Sequence, residues 1–131
     1  MKLTGLTPNL ICADIARSLA FYRDVLGFDV TRTVPDEAPF VFVWLTRDGV
    51  NVFLNDAATV TAELPGATSL VAGKSGVALF LHVEDVRGFW AQVQDRAPVV
   101  MPIKDQWYGQ TEFSVTDPDG YVVTLAERTA G

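Results

Sequence analysis

The chain has 131 residues, 49% apolar and 20% charged, which is enough for one domain with a proper core and too little for two independent ones. No apolar run approaches the roughly 18 to 20 residues of a membrane helix, and a net charge of −6 argues against general nucleic-acid binding, which draws its affinity from Lys and Arg on phosphates. With one cysteine, Cys12, and one histidine, His82, the chain can form neither an internal disulfide nor a Cys/His framework for structural zinc.

The opening MKLTGLTPNL has no basic segment followed by an apolar stretch and a small-residue cleavage site, so no secretory signal is expected and the cytoplasm is the expected location. A β-prone run follows from Thr7 to Cys12. Asp14 then opens a helix in which Ile15, Leu19, Tyr22 and Leu26 share one face, and Gly27 is placed to end it. Strand-like runs lead to an Asp48-Gly49 turn and an apolar strand, Val50 to Leu54. The Ala/Thr/Gly-rich stretch 56–75 reads as a connector. Val77 to Val83 forms the next strand, and Asp85 opens a second helix with Val86, Phe89, Trp90 and Val93 on one face, ending at the Ala97-Pro98 break. The chain closes with further strands, an Asp119-Gly120 turn and the run Tyr121 to Leu125.

This order of strand, helix and strands occurs twice, and the two copies are in register. Asp14 and Asp85 stand 71 positions apart (85 − 14), as do Asp48 and Asp119 (119 − 48). The expected fold is α+β, a single domain over 1–131 made of two βαβββ modules. Module one runs from about 3 to 55, the linker covers 56–75, and module two runs from about 76 to 127.

The runs ADIARSLAFYRDVLGFDV, FLHVEDVRGFW and WYGQTEFSVTDPDGYVVTLAE resemble the vicinal oxygen chelate superfamily, which includes glyoxalase I, extradiol dioxygenases and bleomycin resistance proteins. That resemblance implies a glyoxalase/bleomycin-resistance-like fold. It also implies metal-ligand positions, usually His and Glu, on the first and last strand of each module. The repeat register puts those positions at Thr7, Phe53, Ala78 and Thr124. Alanine and phenylalanine carry no donor, and neutral threonine hydroxyls alone do not hold a transition metal against water. No metal or other cofactor is therefore expected, and no catalytic residue is assigned, since no nucleophile elbow, P-loop or dinucleotide fingerprint is present.

Strand alternation assigns candidate ligand-binding residues. Asn9, Asn51 and Phe53 in module one, with Phe80 and His82 in module two, face the expected cavity and form an apolar floor with a few hydrogen-bonding groups. His82 reads either as an exposed strand-end histidine or as a pocket hydrogen-bonder. Glu112 reads either as a pocket carboxylate or as a charge at the sheet rim. Trp107 and Tyr108, in a loop before a strand, are candidates for stacking surface. Trp44 faces either the cavity or the helix side, while Trp90 and Cys12 read as packing. The WYGQTEF stretch resembles one in bleomycin resistance proteins whose tryptophan contributes to the drug crevice. That likeness implies metal-independent sequestration of a small molecule, such as a cationic aromatic antibiotic of the bleomycin type, by a homodimer. A glyoxalase- or dioxygenase-type enzyme with a relocated metal site, and a structural or regulatory domain with a vestigial pocket, are the alternatives.

Overall fold

The computed structural model describes residues 1–74 and 76–129, arranged as two compact units, Met1–Ser75 and Gly76–Gly131. In the first unit, strand β1 (Asn9–Cys12) precedes helix α1 (Ile15–Ala20). Asp14 is extended, and its carboxylate accepts from the N–H groups of Ala16 and Arg17 at 3.1 and 3.3 Å, which starts the helix. The helix widens into a π-helical segment, Phe21–Val25, and stops at Gly27, whose φ is +74°. Arg47 donates to the Leu26 carbonyl at 2.7 Å, satisfying one of the terminal acceptors. The expected stripe of Ile15, Leu19, Tyr22 and Leu26 is buried, and Phe21 is buried beside it.

Strands β2 (Asp29–Val34), β3 (Phe42–Arg47) and β4 (Val50–Asp56) complete a four-stranded sheet in the order β1-β4-β3-β2. β1 runs parallel to β4, and the other pairs are antiparallel. Val43, Leu45, Val52 and Leu54 are buried by alternation, and α1 lies against β4. Cys12 is buried, with its thiol directed at the Leu10 carbonyl, consistent with a packing role. The stretch expected to be a plain connector contains helix α2 (Ala57–Glu63), capped by the Asp56 carboxylate on the Thr59 N–H at 3.2 Å. Its Ala and Thr content had hidden a helix of two turns that buries Val60 alone.

The second unit repeats the topology with β5 (Leu79–His82), α3 (Val86–Val93), β6 (Val99–Asp105), β7 (Gln110–Thr116) and β8 (Val122–Arg128), in the sheet order β5-β8-β7-β6. Here too the first and last strands are parallel. Phe113, Val115, Val123 and Leu125 are buried, and Trp90 of α3 packs on Phe113 with ring centroids 5.2 Å apart, as expected of a core-side residue. α3 is held at its start by two carboxylates. Asp85 accepts from the Gly88 N–H at 3.1 Å, and Glu127 of β8 accepts from the N–H groups of Asp85 and Val86 at 3.0 and 3.1 Å. The two backbone hydrogen bonds pull the Glu127 carboxyl below its ordinary pKa.

One expectation is corrected. The first Asp-Gly turn is a two-residue hairpin with both residues at positive φ, Asp48 at 51° and Gly49 at 79°. In the second, only Gly120 has positive φ, and five residues separate Thr116 from its partner Val122. The Asp117 carboxylate organises this longer loop by accepting from the N–H groups of Asp119 and Tyr121 at 2.9 and 3.0 Å. Among the described residues no helix is long and apolar enough to cross a membrane.

Candidate functional site

Alternation that buries Val43, Leu45, Val52 and Leu54 turns Phe42, Trp44, Asn51, Phe53 and Asn55 to the opposite face of the first sheet, where all five are half-buried. Backbone register sets Phe53 between Asn9 and Trp44, and Asn55 beside Phe42. Phe53 is thus the hub of an aromatic cluster. Its ring centroid lies 5.1 Å from Phe42 and 5.8 Å from Trp44, both edge-to-face. The Trp44 indole N–H donates to Asn51 Oδ1 at 2.9 Å, fixing the indole plane. Asn55 donates through its amide to Asn9 Oδ1. The result is an apolar platform edged by amides. Trp44 belongs to this face and not to the helix side, because it is in register with Phe53.

In the second sheet the corresponding face carries Phe80 and His82 of β5, with rings 5.2 Å apart and both exposed. His82 is therefore a strand-end histidine with an aromatic neighbour. Phe80 is in register with Thr124, and Thr124 shares a hydroxyl hydrogen bond of 2.7 Å with Ser114. Glu112 is not a rim charge, since it is only 5% exposed. Its Oε1 accepts from the Tyr108 hydroxyl and from Gln106 Nε2, the latter at 3.3 Å. The Tyr108 phenol is raised above its ordinary pKa, chiefly by that hydrogen bond and further by burial and the carboxylate charge. Glu112 Oε2 is buried and has no hydrogen-bond partner, and the same is true of Gln110 Oε1.

Trp107 and Tyr108 sit at the tip of the β6–β7 hairpin, closed by hydrogen bonds from Gln106 N–H to the Gln110 carbonyl at 2.7 Å and from Gly109 N–H to the Gln106 carbonyl at 3.2 Å. Gly109 has φ of +86°, so a side chain there would strain the turn. Trp107 is 93% exposed and touches Tyr108 edge-on at 5.3 Å.

The positions where a divalent ion would be expected do not fit one. Phe53 is committed to its ring contacts and Thr124 to Ser114, while Thr7 and Ala78 fall just before β1 and β5. Among the described residues no group of three or more His, Cys, Asp or Glu side chains could hold a metal ion. A cleft of about 440 Å³ opens at the start of α3, lined in part by Asp85, Arg87, Asp105, Thr111 and Arg128. Its carboxylates are engaged: Asp105 accepts from Thr111 at 2.6 Å and pairs with Arg87 at 3.3 Å. Thr111 lies on the side of β7 opposite Glu112, and none of the expected binding residues lines the cleft.

Asn9, Trp44, Asn51 and Phe53 thus gather on one face of the first unit's sheet, and Phe80, His82, Glu112 and Tyr108 on one face of the second. Phe42, Gln106, Gln110 and Ser114 were missed. Stepping two residues from Trp44 finds Phe42, and stepping two either way from Glu112 finds Gln110 and Ser114.

A family model described as Glyoxalase/Bleomycin resistance protein/Dioxygenase superfamily matches residues 6–125. The chain is 27% identical to bleomycin resistance proteins of Geobacillus stearothermophilus and Staphylococcus aureus, covering 92% of this chain and 94% of each relative. Among solved structures it resembles TioX from a Micromonospora species, with a TM-score of 0.79 and 19% identity over 95% of this chain and 98% of that one. It also resembles TnmS3, described as an antibiotic binding protein from a Streptomyces species, with a TM-score of 0.77 and 21% identity over 98% and 99% of the two chains.

Proposed function

The chain belongs to the glyoxalase/bleomycin resistance protein/dioxygenase superfamily, and we propose that it binds and sequesters a small molecule without a metal. The proposed ligand is a cationic aromatic antibiotic of the bleomycin type. The observation that carries this reading is Phe53. At a position where a metalloenzyme of this fold would need a donor, the chain presents a ring packed between Phe42 and Trp44. Such a surface holds flat apolar groups by dispersion and edge-to-face contact. The ring itself has no atom that could coordinate an ion or polarise a bond. The relatives named for bleomycin resistance and the neighbour described as an antibiotic binding protein support the same class of ligand.

In this reading Phe53, with Trp44, Asn51 and Asn9, supplies stacking surface and oriented amides. Phe80, His82 and the Glu112–Tyr108 pair supply a second, more polar surface, and Trp107 at its hairpin tip adds an exposed ring. The protein acts as a homodimer in the cytoplasm. Calorimetric titration with metal-free bleomycin tests the binding, and chromatography of the drug released by denaturation tests the sequestration. Saturable binding with the drug recovered unaltered is expected. Absence of binding, or recovery of a chemically changed drug, refutes the reading.

A further inference from the structure

Gln110 and Glu112 are two residues apart on β7 and project to the same face, roughly 7 Å from one another along the strand. Each holds a buried oxygen that no donor satisfies, Gln110 Oε1 and Glu112 Oε2. A buried acceptor without a donor costs a fold more than a formed hydrogen bond returns, most of all when the acceptor is a carboxylate. Among the described residues no basic side chain of the unit bonds either oxygen, and that includes Arg128, the register partner of Gln110 on β8. Lys104 is the register partner of Glu112 on β6, yet it is exposed and makes no ion pair with it. His82 stands on the same row only beyond Ala126 of β8, two strands and about 10 Å away. The partners Glu112 does have, the Tyr108 hydroxyl and the Gln106 amide, both converge on Oε1 and hold the carboxylate with its second oxygen turned inward.

We propose that Gln110 and Glu112 form a donor-seeking subsite that takes a protonated nitrogen group of the sequestered molecule, an amidinium, guanidinium or primary ammonium. An N–H of that group is donated to Glu112 Oε2 and, where the group is wide enough, a second to Gln110 Oε1. This rests on the sequestration reading and names which chemistry of the ligand the second unit selects. Entry is through the hairpin tip, because half-exposed Tyr108 covers the carboxylate by a single hydroxyl contact. The subsite explains why a carboxylate is kept in a buried position that a neutral side chain would fill at less cost.

The test uses benzamidinium chloride and neutral benzamide as probes, followed by NMR shift titration on the full chain, with metal-free bleomycin titrated in parallel. Wild type is expected to bind benzamidinium at least about tenfold more tightly than benzamide, as a charge-assisted contact does. Glu112→Gln should erase that preference without lowering the melting temperature, and Gln110→Leu should weaken benzamidinium alone. A merely structural Glu112 would instead lower the melting temperature of the Gln variant and leave the probe preference intact, which overturns the subsite. Bleomycin binding without probe discrimination also overturns the subsite and leaves sequestration standing. Probe discrimination without bleomycin binding supports the subsite and refutes the bleomycin-type ligand. Failure of both the probes and bleomycin to bind refutes both readings.

Discussion

Truncating Trp107 to alanine separates a binding role from a folding role, because the free chain buries so little of it. The residue is 93% exposed. A fully buried aromatic removes at most about 250 Å² from water, so the small covered remainder is worth under about 0.5 kcal/mol at roughly 25 cal/mol per Å². The edge-on contact with Tyr108 adds a few tenths of a kcal/mol at such an exposed position. A total cost below about 1 kcal/mol, against an unfolding entropy of about 2.1 cal/mol/K per residue, corresponds to a melting shift under about 4 °C. A tryptophan that stacks and desolvates in a complex commonly contributes about 2 kcal/mol or more, close to a thirtyfold loss of affinity on truncation. Calorimetry with metal-free bleomycin measures the affinity, and scanning calorimetry measures the melting temperature. Unchanged affinity, or a fall in melting temperature well beyond 4 °C, refutes Trp107 as a contact.

Gly27→Ala places a Cβ 2.7 Å from the Arg47 guanidinium at a φ of +74°. Strain in the left-handed region and loss of the Arg47 hydrogen bond to Leu26 together cost about 2 kcal/mol, and thermal denaturation should register a drop of roughly 5 to 8 °C. The folded pKa of Glu127 is depressed by two backbone N–H groups, so its contribution is fully present above the unfolded carboxylate pKa and is lost as pH falls through the folded one. Glu127→Gln should therefore lower the melting temperature most in the neutral region, with the difference from wild type shrinking as pH falls, so that the acid limb of the stability profile flattens. Elemental analysis of the purified chain is expected to find no stoichiometric Zn, Fe, Mn or Ni, and one tightly held metal per chain would overturn metal-independent binding. Light scattering is expected to give the dimer mass, and the monomer mass across a wide concentration range would overturn the homodimer.

Much of this architecture is written in short-range chemistry. Asp14 and Asp85 marked both helix starts because each carboxylate caps free N–H groups. Alternation placed Asn51, Phe53 and Phe80 because burial of one sheet face fixes the other. Besides helix α2, two features that bear on the site were not legible. The repeat shift of 71 holds from Asn9 to Phe80 (80 − 9) and from Phe53 to Thr124 (124 − 53), but from Trp44 to Ser114 it is 70 (114 − 44), since the second hairpin has one extra residue between paired rows. A uniform shift would turn Val115 outward, whereas it is fully buried. The depth of Glu112 was also hidden, because a carboxylate between Thr111 and Phe113, with Gln110 and Ser114 on its own face, reads alike as rim or pocket. Tertiary placement of Gln106 and Tyr108 over it decides the matter.

The two sheets carry the same topology and contrasting chemistry at matched rows. Where the first unit sets Asn9, Phe53 and Trp44 side by side, the second sets Phe80, Thr124 and Ser114. On the next row Phe42 of the first is answered by Glu112 of the second, each beside the last strand. A metal centre does not tolerate such divergence, because coordination needs every donor at once and the loss of one opens the site to water. Stacking and hydrogen bonding contribute contact by contact, so each row can drift without abolishing the rest. Of the two faces, the one carrying rings therefore suits a flat apolar group, and the one carrying hydroxyls and a carboxylate suits a group rich in N–H.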